Sequence, residues 1–167
     1  MKLHRARWLR WGVWLWLACV PASARAETTA FFYSAPVPRE LFQVYDQVVV
    51  QPDQAPHPSN FRGEKGQPVA YVSVGEVQAA SPAARDLAPS WVLARNPAWS
   101  TLVLDPRRVD YQSYLLSRFD ELWSRGYRRF FLDTLDSYRL GLHDEAADHA
   151  ARAGWVNLIV ALKARHP

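Results

Sequence analysis

The sequence predicts an α/β fold built on parallel strands, and three observations carry that expectation. Short apolar runs rich in β-branched and aromatic residues recur along the chain, each stopped by Gly, Pro or a polar cluster. They are separated by segments whose apolar residues repeat at helical spacing, the pattern of right-handed βαβ units. Phe130 to Tyr138 reads F-F-L-D-T-L-D-S-Y, so three apolar residues run directly into two aspartates. A run of that kind is covered on both faces, and its carboxyl tip is where α/β barrels keep their chemistry.

The first 26 residues are expected to be a leader rather than part of the fold. Lys2, Arg5, Arg7 and Arg10 form a basic head, Trp11 to Val20 an apolar core, and Pro21 leads into the small-residue sites Ala22-Ser23-Ala24 and Ala24-Arg25-Ala26. This is the plan of a secretory signal peptide, with a core too short to span a bilayer. The expected destination is therefore the periplasm or the exterior. Cys19 follows Leu17-Ala18, but Trp16 stands where a lipoprotein site carries leucine. No stable membrane insertion is expected once the leader is removed.

Removing the leader changes the charge argument. Five of the 20 basic residues lie within it, leaving 15 against 16 acids, so the mature chain is near −1 instead of +4. The alkaline isoelectric point belongs mostly to the leader, and no nucleic-acid partner is expected. The single cysteine leaves too, so the exported chain must rest on its hydrophobic core without disulfides.

Five strands follow in order: Phe31 to Ser34, Gln47 to Gln51, Val69 to Glu76, Thr101 to Asp105 and Phe130 to Asp133. Pro52-Asp53 stops the second and Pro106 the fourth. The stretch from Gln54 to Gln67, polar with Pro and Gly, reads as a loop. Asp110 is the expected cap of a helix that turns Tyr111, Tyr114, Leu115, Phe119 and Leu122 to one face and stops at Gly126. A second helix is expected from about Ala151 to Ala164, with Trp155, Leu158, Ile159 and Leu162 inward.

Alternation along the strands sorts their faces. Val72 and Val74 share one face of the third strand, and Tyr71 and Ser73 the other. Phe131 and Asp133 share a face, so Asp133 would project beyond Phe131. Tyr33, Gln51, Glu76 and Asp133 all fall at strand carboxyl ends, which gathers polar groups for a pocket.

Two carboxylates whose surroundings separate their proton affinities can divide acid, base and nucleophile roles, and glycoside hydrolysis is one use of such a pair. On a continuing strand Asp133 and Asp136 would point to opposite faces; a turn after Thr134 would bring them nearer. Glu76 is another candidate partner. The alternative is that Asp136-Ser137 caps the next segment and Asp133 only bonds backbone amides. His143, Asp144, Asp148 and His149 fit no zinc spacing and read as a solvated helix face. No phosphate-binding glycine loop or nucleophile elbow is present, and no metal or cofactor is expected.

Val69 to Glu76 (V-A-Y-V-S-V-G-E), Asn96 to Trp99 with Val103 to Arg107, and Gly126 to Tyr138 together resemble the glycoside hydrolase 114-type TIM-barrel domains. The resemblance covers nearly all of the chain after the leader. It implies a retaining endo-hydrolase of α-1,4-linked galactosamine or N-acetylgalactosamine polymers, working without a metal. It implies an essential acid at Asp133, with Asp136 close by in the same motif as the other catalytic candidate, and a sugar cleft lined by Glu76 and the aromatic residues around it. With the strand-end positions, the expected sugar contacts are Tyr33, Gln51, Tyr71, Ser73, Glu76 and Tyr138. Gln51 departs from the acidic residue that relatives often carry there.

Length is the second departure. A (β/α)₈ barrel takes about 250 residues, whereas 141 follow Ala26. The expected architecture is therefore a partial (β/α)₈ barrel, its first half, over residues 27–167. The resemblance implies a second catalytic carboxylate on a later strand. The missing half of the barrel joins the polysaccharide substrate as an expected partner. The alternative function is a carbohydrate-binding protein without catalysis, or an inactive fragment.

Overall fold

The computed structural model describes residues 26–167; the expected leader up to Arg25, including Cys19, lies outside the described residues. The elements run β1 (Thr29–Phe32), α1 (Leu41–Val44), β2 (Gln47–Val50), β3 (Gln67–Ser73), β4 (Glu76–Gln78), α2 (Pro82–Arg85), β5 (Val92–Asn96), β6 (Thr101–Leu104), α3 (Val109–Ser124), β7 (Phe130–Asp133) and α4 (Glu145–Arg165).

Four strands form one parallel sheet in the order β1-β2-β3-β7. Its central strands are apolar on both faces, as parallel strands must be: Val48, Val49, Val50, Val69 and Ala70 are all buried. The remaining strands make a separate antiparallel sheet, β4-β6-β5, inserted between β3 and α3. One face of the parallel sheet packs against α3 and α4 through Val74, Tyr111, Leu115, Phe119, Trp155 and Leu158. A second apolar cluster around Phe42, Val48, Val50, Phe61 and Tyr127 fills the space beside β2. Each large side chain fully withdrawn from water in these clusters stabilises the fold by roughly 1.5–3 kcal/mol.

Several boundaries move from their expected places. The first strand is Thr29–Phe32, which leaves Tyr33 just past its end. The run expected as one strand from Val69 to Glu76 is broken: β3 stops at Ser73, and Glu76 opens β4 in the other sheet. The cause is a change of partner. Val74 donates its amide to Asp133 O, and Gly75 O accepts instead from Leu104 on β6. The Thr101 strand pairs antiparallel with β4 and β5, so it is not a βαβ strand. Its hairpin mate β5, a short V-L-A run leading into Arg95 and Asn96, is not among the strands expected from the sequence.

Both long helices start earlier than expected. Arg108, not Asp110, is the N-cap of α3, and Asp110 sits in the first turn facing Arg108. Its stop is as expected, with Gly126 at φ 98°, a conformation that disfavours any side chain. The last helix begins at Glu145, because Asp144 caps it by accepting from Ala147 N at 2.8 Å. His143 to His149 is thus a helix start, and its acids suit the positive end of the helix dipole.

Candidate active site

The carboxyl ends of the parallel strands open into a cleft of about 990 Å³, closed on one side by the antiparallel sheet. Tyr33, Gln51, Tyr71, Ser73, Glu76, Asp133 and Asp136 all line it. Register explains the convergence: β3 and β7 pair Tyr71 with Phe131 and Ser73 with Asp133, so the inward positions of the two strands stand side by side.

Asp133 is held at both carboxylate oxygens. Tyr71 donates its phenol to Oδ2 at 2.6 Å, and the Thr134 amide donates to Oδ1 at 2.8 Å. Tyr71 is itself fixed by packing, its ring 5.0 Å from Tyr33 edge-on and 6.3 Å from Phe131 in a stack. Burial, reinforced by the hydrogen bond to Asp133 and its charge, pushes the Tyr71 phenol far above its ordinary range. Tyr33 is pushed up for related reasons, burial first and the Asp133 charge second. Both phenols are therefore donors at neutral pH.

The turn that presents Asp133 is built from Thr134 at φ 64°. A β-branched residue there is strained, and such strain persists only where its surroundings impose it. Those surroundings are visible. The Thr134 hydroxyl donates to Asp133 O at 2.6 Å and accepts from Gly75 N at 2.9 Å. Ser73 Oγ, which lies 2.9 Å from the same hydroxyl, donates to Glu76 O at 2.7 Å. Gly75 is required by this close approach, since a Cβ on it would fall 1.9 Å from Thr134 O.

The turn separates the roles open to the three acids. Asp136 is exposed on the cleft wall and begins the 3₁₀ turn Ser137–Leu140 without a side-chain cap bond. The alternative reading, in which the Asp136 side chain caps this segment, is therefore not met. Glu76 is buried, receiving Asn96 Nδ2 at 3.1 Å on Oε1 and the Thr101 hydroxyl on Oε2. Burial alone would raise its proton affinity. Donors from Ser137, Thr101 and Asn96 outweigh it and hold the carboxyl below its usual range. Glu76 is thus an ionised anchor that holds β5 and β6 within the antiparallel sheet and receives Ser137 from the turn after β7.

Tyr138 does not reach the cleft. Its ring is buried in the core beneath α4, and its hydroxyl donates to Asp148 Oδ1 at 2.8 Å. The motif that carries Tyr138 turns inward after Ser137, which alternation along a strand could not foresee. Asp148 also holds Arg139 and Arg152, and this ion-pair cluster keeps its carboxyl below the ordinary range, the Tyr138 bond being the largest cause. Among the described residues no three His, Cys, Asp or Glu side chains are arranged to hold a metal ion.

The cleft also contains residues that the sequence reading did not single out as site residues. Gln78, Asn96, Trp99 and Thr101 come from the antiparallel insertion, and Thr134, Ser137, Arg139 and Leu140 from the chain after β7. The only signal for the first group was that Asn96 to Trp99 belonged to a family-like stretch. That the insertion folds over the strand ends is a tertiary fact.

Comparison with known proteins gives a consistent picture. The model of glycoside-hydrolase family GH114 matches residues 18–165. The glycoside hydrolase domain of PelA from Pseudomonas aeruginosa superposes with a TM-score of 0.71 at 29% identity, over 84% of this chain and 56% of that one. Ega3 from Aspergillus fumigatus, solved in complex with galactosamine, superposes with a TM-score of 0.67 at 14% identity, over 84% of this chain and 57% of that one. At that identity the likeness is one of fold. No curated protein matches the chain. The chain spans just over half the length of both solved domains.

Proposed function

Because this chain belongs to glycoside-hydrolase family GH114, we propose that it is the catalytic-cleft half of an exported, retaining endo-hydrolase of α-1,4-linked galactosamine or N-acetylgalactosamine polymers. The observation that carries the reading is Asp133, presented at a strand tip in a polysaccharide-sized cleft with a donor on each carboxylate oxygen.

An amide N–H cannot accept a hydrogen bond, and a phenol with strongly raised proton affinity stays protonated, so both partners of Asp133 are donors. That arrangement suits a carboxylate acting as nucleophile. In the proposed reaction one Asp133 oxygen attacks the anomeric carbon and the bond to the leaving sugar breaks, the departing oxygen taking a proton from a second carboxyl group. Water then attacks the glycosyl ester, losing a proton to the same second group, and Asp133 is released. The second role falls to the carboxylate expected on a later strand of the barrel, and Asp136, exposed on the cleft wall, stands in the same site as Asp133. A retaining pair works at a separation of about 5–5.5 Å.

The amino-sugar substrate is supported by the galactosamine bound in Ega3 and by a cleft that, among the described residues, presents Glu76, Asp133 and Asp136 against one cation, Arg139. Export is supported by the basic head and apolar core of the first 26 residues. No helix among the described residues is long and apolar enough to cross a membrane. The outer edges of β1 and β7 pair with no strand among the described residues. We infer that further βα units pair there to close the barrel.

The test is the Asp133→Asn variant of the closed barrel, this chain together with the further βα units that pair at β1 and β7, assayed for release of reducing ends from a galactosaminoglycan. Loss of cleavage with an unchanged melting temperature is the expected result. Cleavage at the parent rate would remove Asp133 from the mechanism.

A further inference from the structure

We propose that Trp99 is an aromatic platform for a pyranose ring at an outer position of the cleft, held in place by Glu76 acting through Asn96. The inference rests on the carbohydrate reading above and adds a recognition element to it.

Four tryptophans lie among the described residues, and three have structural work. Trp91 packs 5.4 Å from both Tyr111 and Tyr114. Trp123 stacks on His166 at 4.5 Å and carries the Arg128 guanidinium at 4.2 Å. Trp155 is buried and donates its indole N–H to Leu135 O at 2.7 Å. Trp99 is 74% exposed, yet it borders the cleft from the tip of the β5–β6 hairpin. One exposed apolar residue is ordinary on a surface, so exposure alone carries nothing. What distinguishes Trp99 is the bracing of the turn beneath it.

That turn spans residues 97–100, between Asn96 and Thr101, which pair across the hairpin. Asn96 Oδ1 accepts from Ala98 N at 3.2 Å, while its amide nitrogen donates to Glu76 Oε1 at 3.1 Å. On the other limb the Thr101 hydroxyl donates to Glu76 Oε2. Ser100, at φ 54°, reverses the chain, and its carbonyl accepts from Ala79 N at 3.1 Å. One buried carboxylate thus grips both limbs of the hairpin, and the ring at its tip is presented on a rigid support.

The chemistry of the surface fits a sugar. A pyranose offers an apolar C–H face bordered by hydroxyls; here an indole face stands beside the polar side chains of Gln78, Asn96 and Thr101. An indole loses little rotamer freedom on contact, since it has two side-chain torsions. An amino sugar adds an ammonium, which the tryptophan face attracts more strongly than other aromatic faces do.

The experiment uses the Asp133→Asn chain, so that ligand survives, titrated with an α-1,4-linked galactosamine oligosaccharide while tryptophan fluorescence is followed. Binding should change the emission. Trp99→Ala in that background should abolish most of the change and, by isothermal titration calorimetry, weaken Kd roughly three- to tenfold, with Trp99→Phe retaining most of the affinity by the same measurement. Asn96→Ala should weaken binding with Trp99 still present. An unchanged Kd in Trp99→Ala, or no binding by the Asp133→Asn chain, overturns the proposal. The two readings fail separately. Binding through Trp99 by a chain that cleaves nothing would sink the hydrolase and leave the platform. Cleavage with binding indifferent to Trp99 would do the reverse.

Discussion

The phenol of Tyr71 on the third strand donates a 2.6 Å hydrogen bond to Oδ2 of Asp133, 62 residues later on the adjacent strand. Parallel pairing brings the two together, and the packing of Tyr71 between Tyr33 and Phe131 aims the donor. The bond orients the carboxylate at the strand tip.

Replacing Tyr71 by Phe keeps the ring and its packing while deleting that donor. A hydrogen bond to a charged group is worth about 1.5–3 kcal/mol, so kcat/KM should fall roughly ten- to hundredfold with little change in melting temperature. Steady-state kinetics on a galactosamine polymer would check this. A parent-like rate would mean that Tyr71 only packs.

Gly75→Ala places a methyl 1.9 Å from the Thr134 carbonyl, which is backbone and cannot swing aside. Relief requires β3 and β7 to part at their tips, where Asp133 is presented. We expect a loss of about 3 kcal/mol in urea unfolding, together with loss of cleavage. A variant as stable as the parent would show that the Ser73–Gly75–Thr134 junction yields easily.

Acid should weaken the fold through Glu76 and Asp105. Burial opposes ionisation of both. It is outweighed at Glu76 by the Ser137, Thr101 and Asn96 donors, and at Asp105 by the hydrogen bonds and charge of Arg107. Because the folded state holds these carboxyls below their unfolded values, their contribution is complete above the ordinary carboxylate range of about 4. It is lost as pH falls through the lowered folded values. Melting temperature should therefore drop between about pH 5 and pH 3, and less steeply in Glu76→Gln, which has one fewer proton to take up. Equal slopes in the two proteins would contradict the role given to Glu76.

Much of this was legible in the residues themselves. V-V-V in β2 reads as a strand covered on both faces and F-F-L in β7 as a strand ending in an acid, and the spacing of Tyr111, Leu115, Phe119 and Leu122 defined the buried stripe of α3. Alternation placed Tyr71, Ser73 and Asp133 on the cleft side, where the structure has them. Alternation fails where a chain leaves its strand. It assigned Glu76 to the same strand as Tyr71, although the backbone changes sheets at Gly75. It gave no warning that Tyr138 would turn into the core toward Asp148.

The sequence by itself determined the parallel strands, the amphipathic helix and the acid at the strand tip, because periodicity and burial are local properties of the chain. Only the tertiary structure decided what surrounds that acid. The Tyr71 donor, the strained Thr134 and the hairpin that Glu76 braces are contacts between residues 20 to 62 positions apart. Such contacts are set by strand register and by one close backbone approach at Gly75, and no local pattern encodes either.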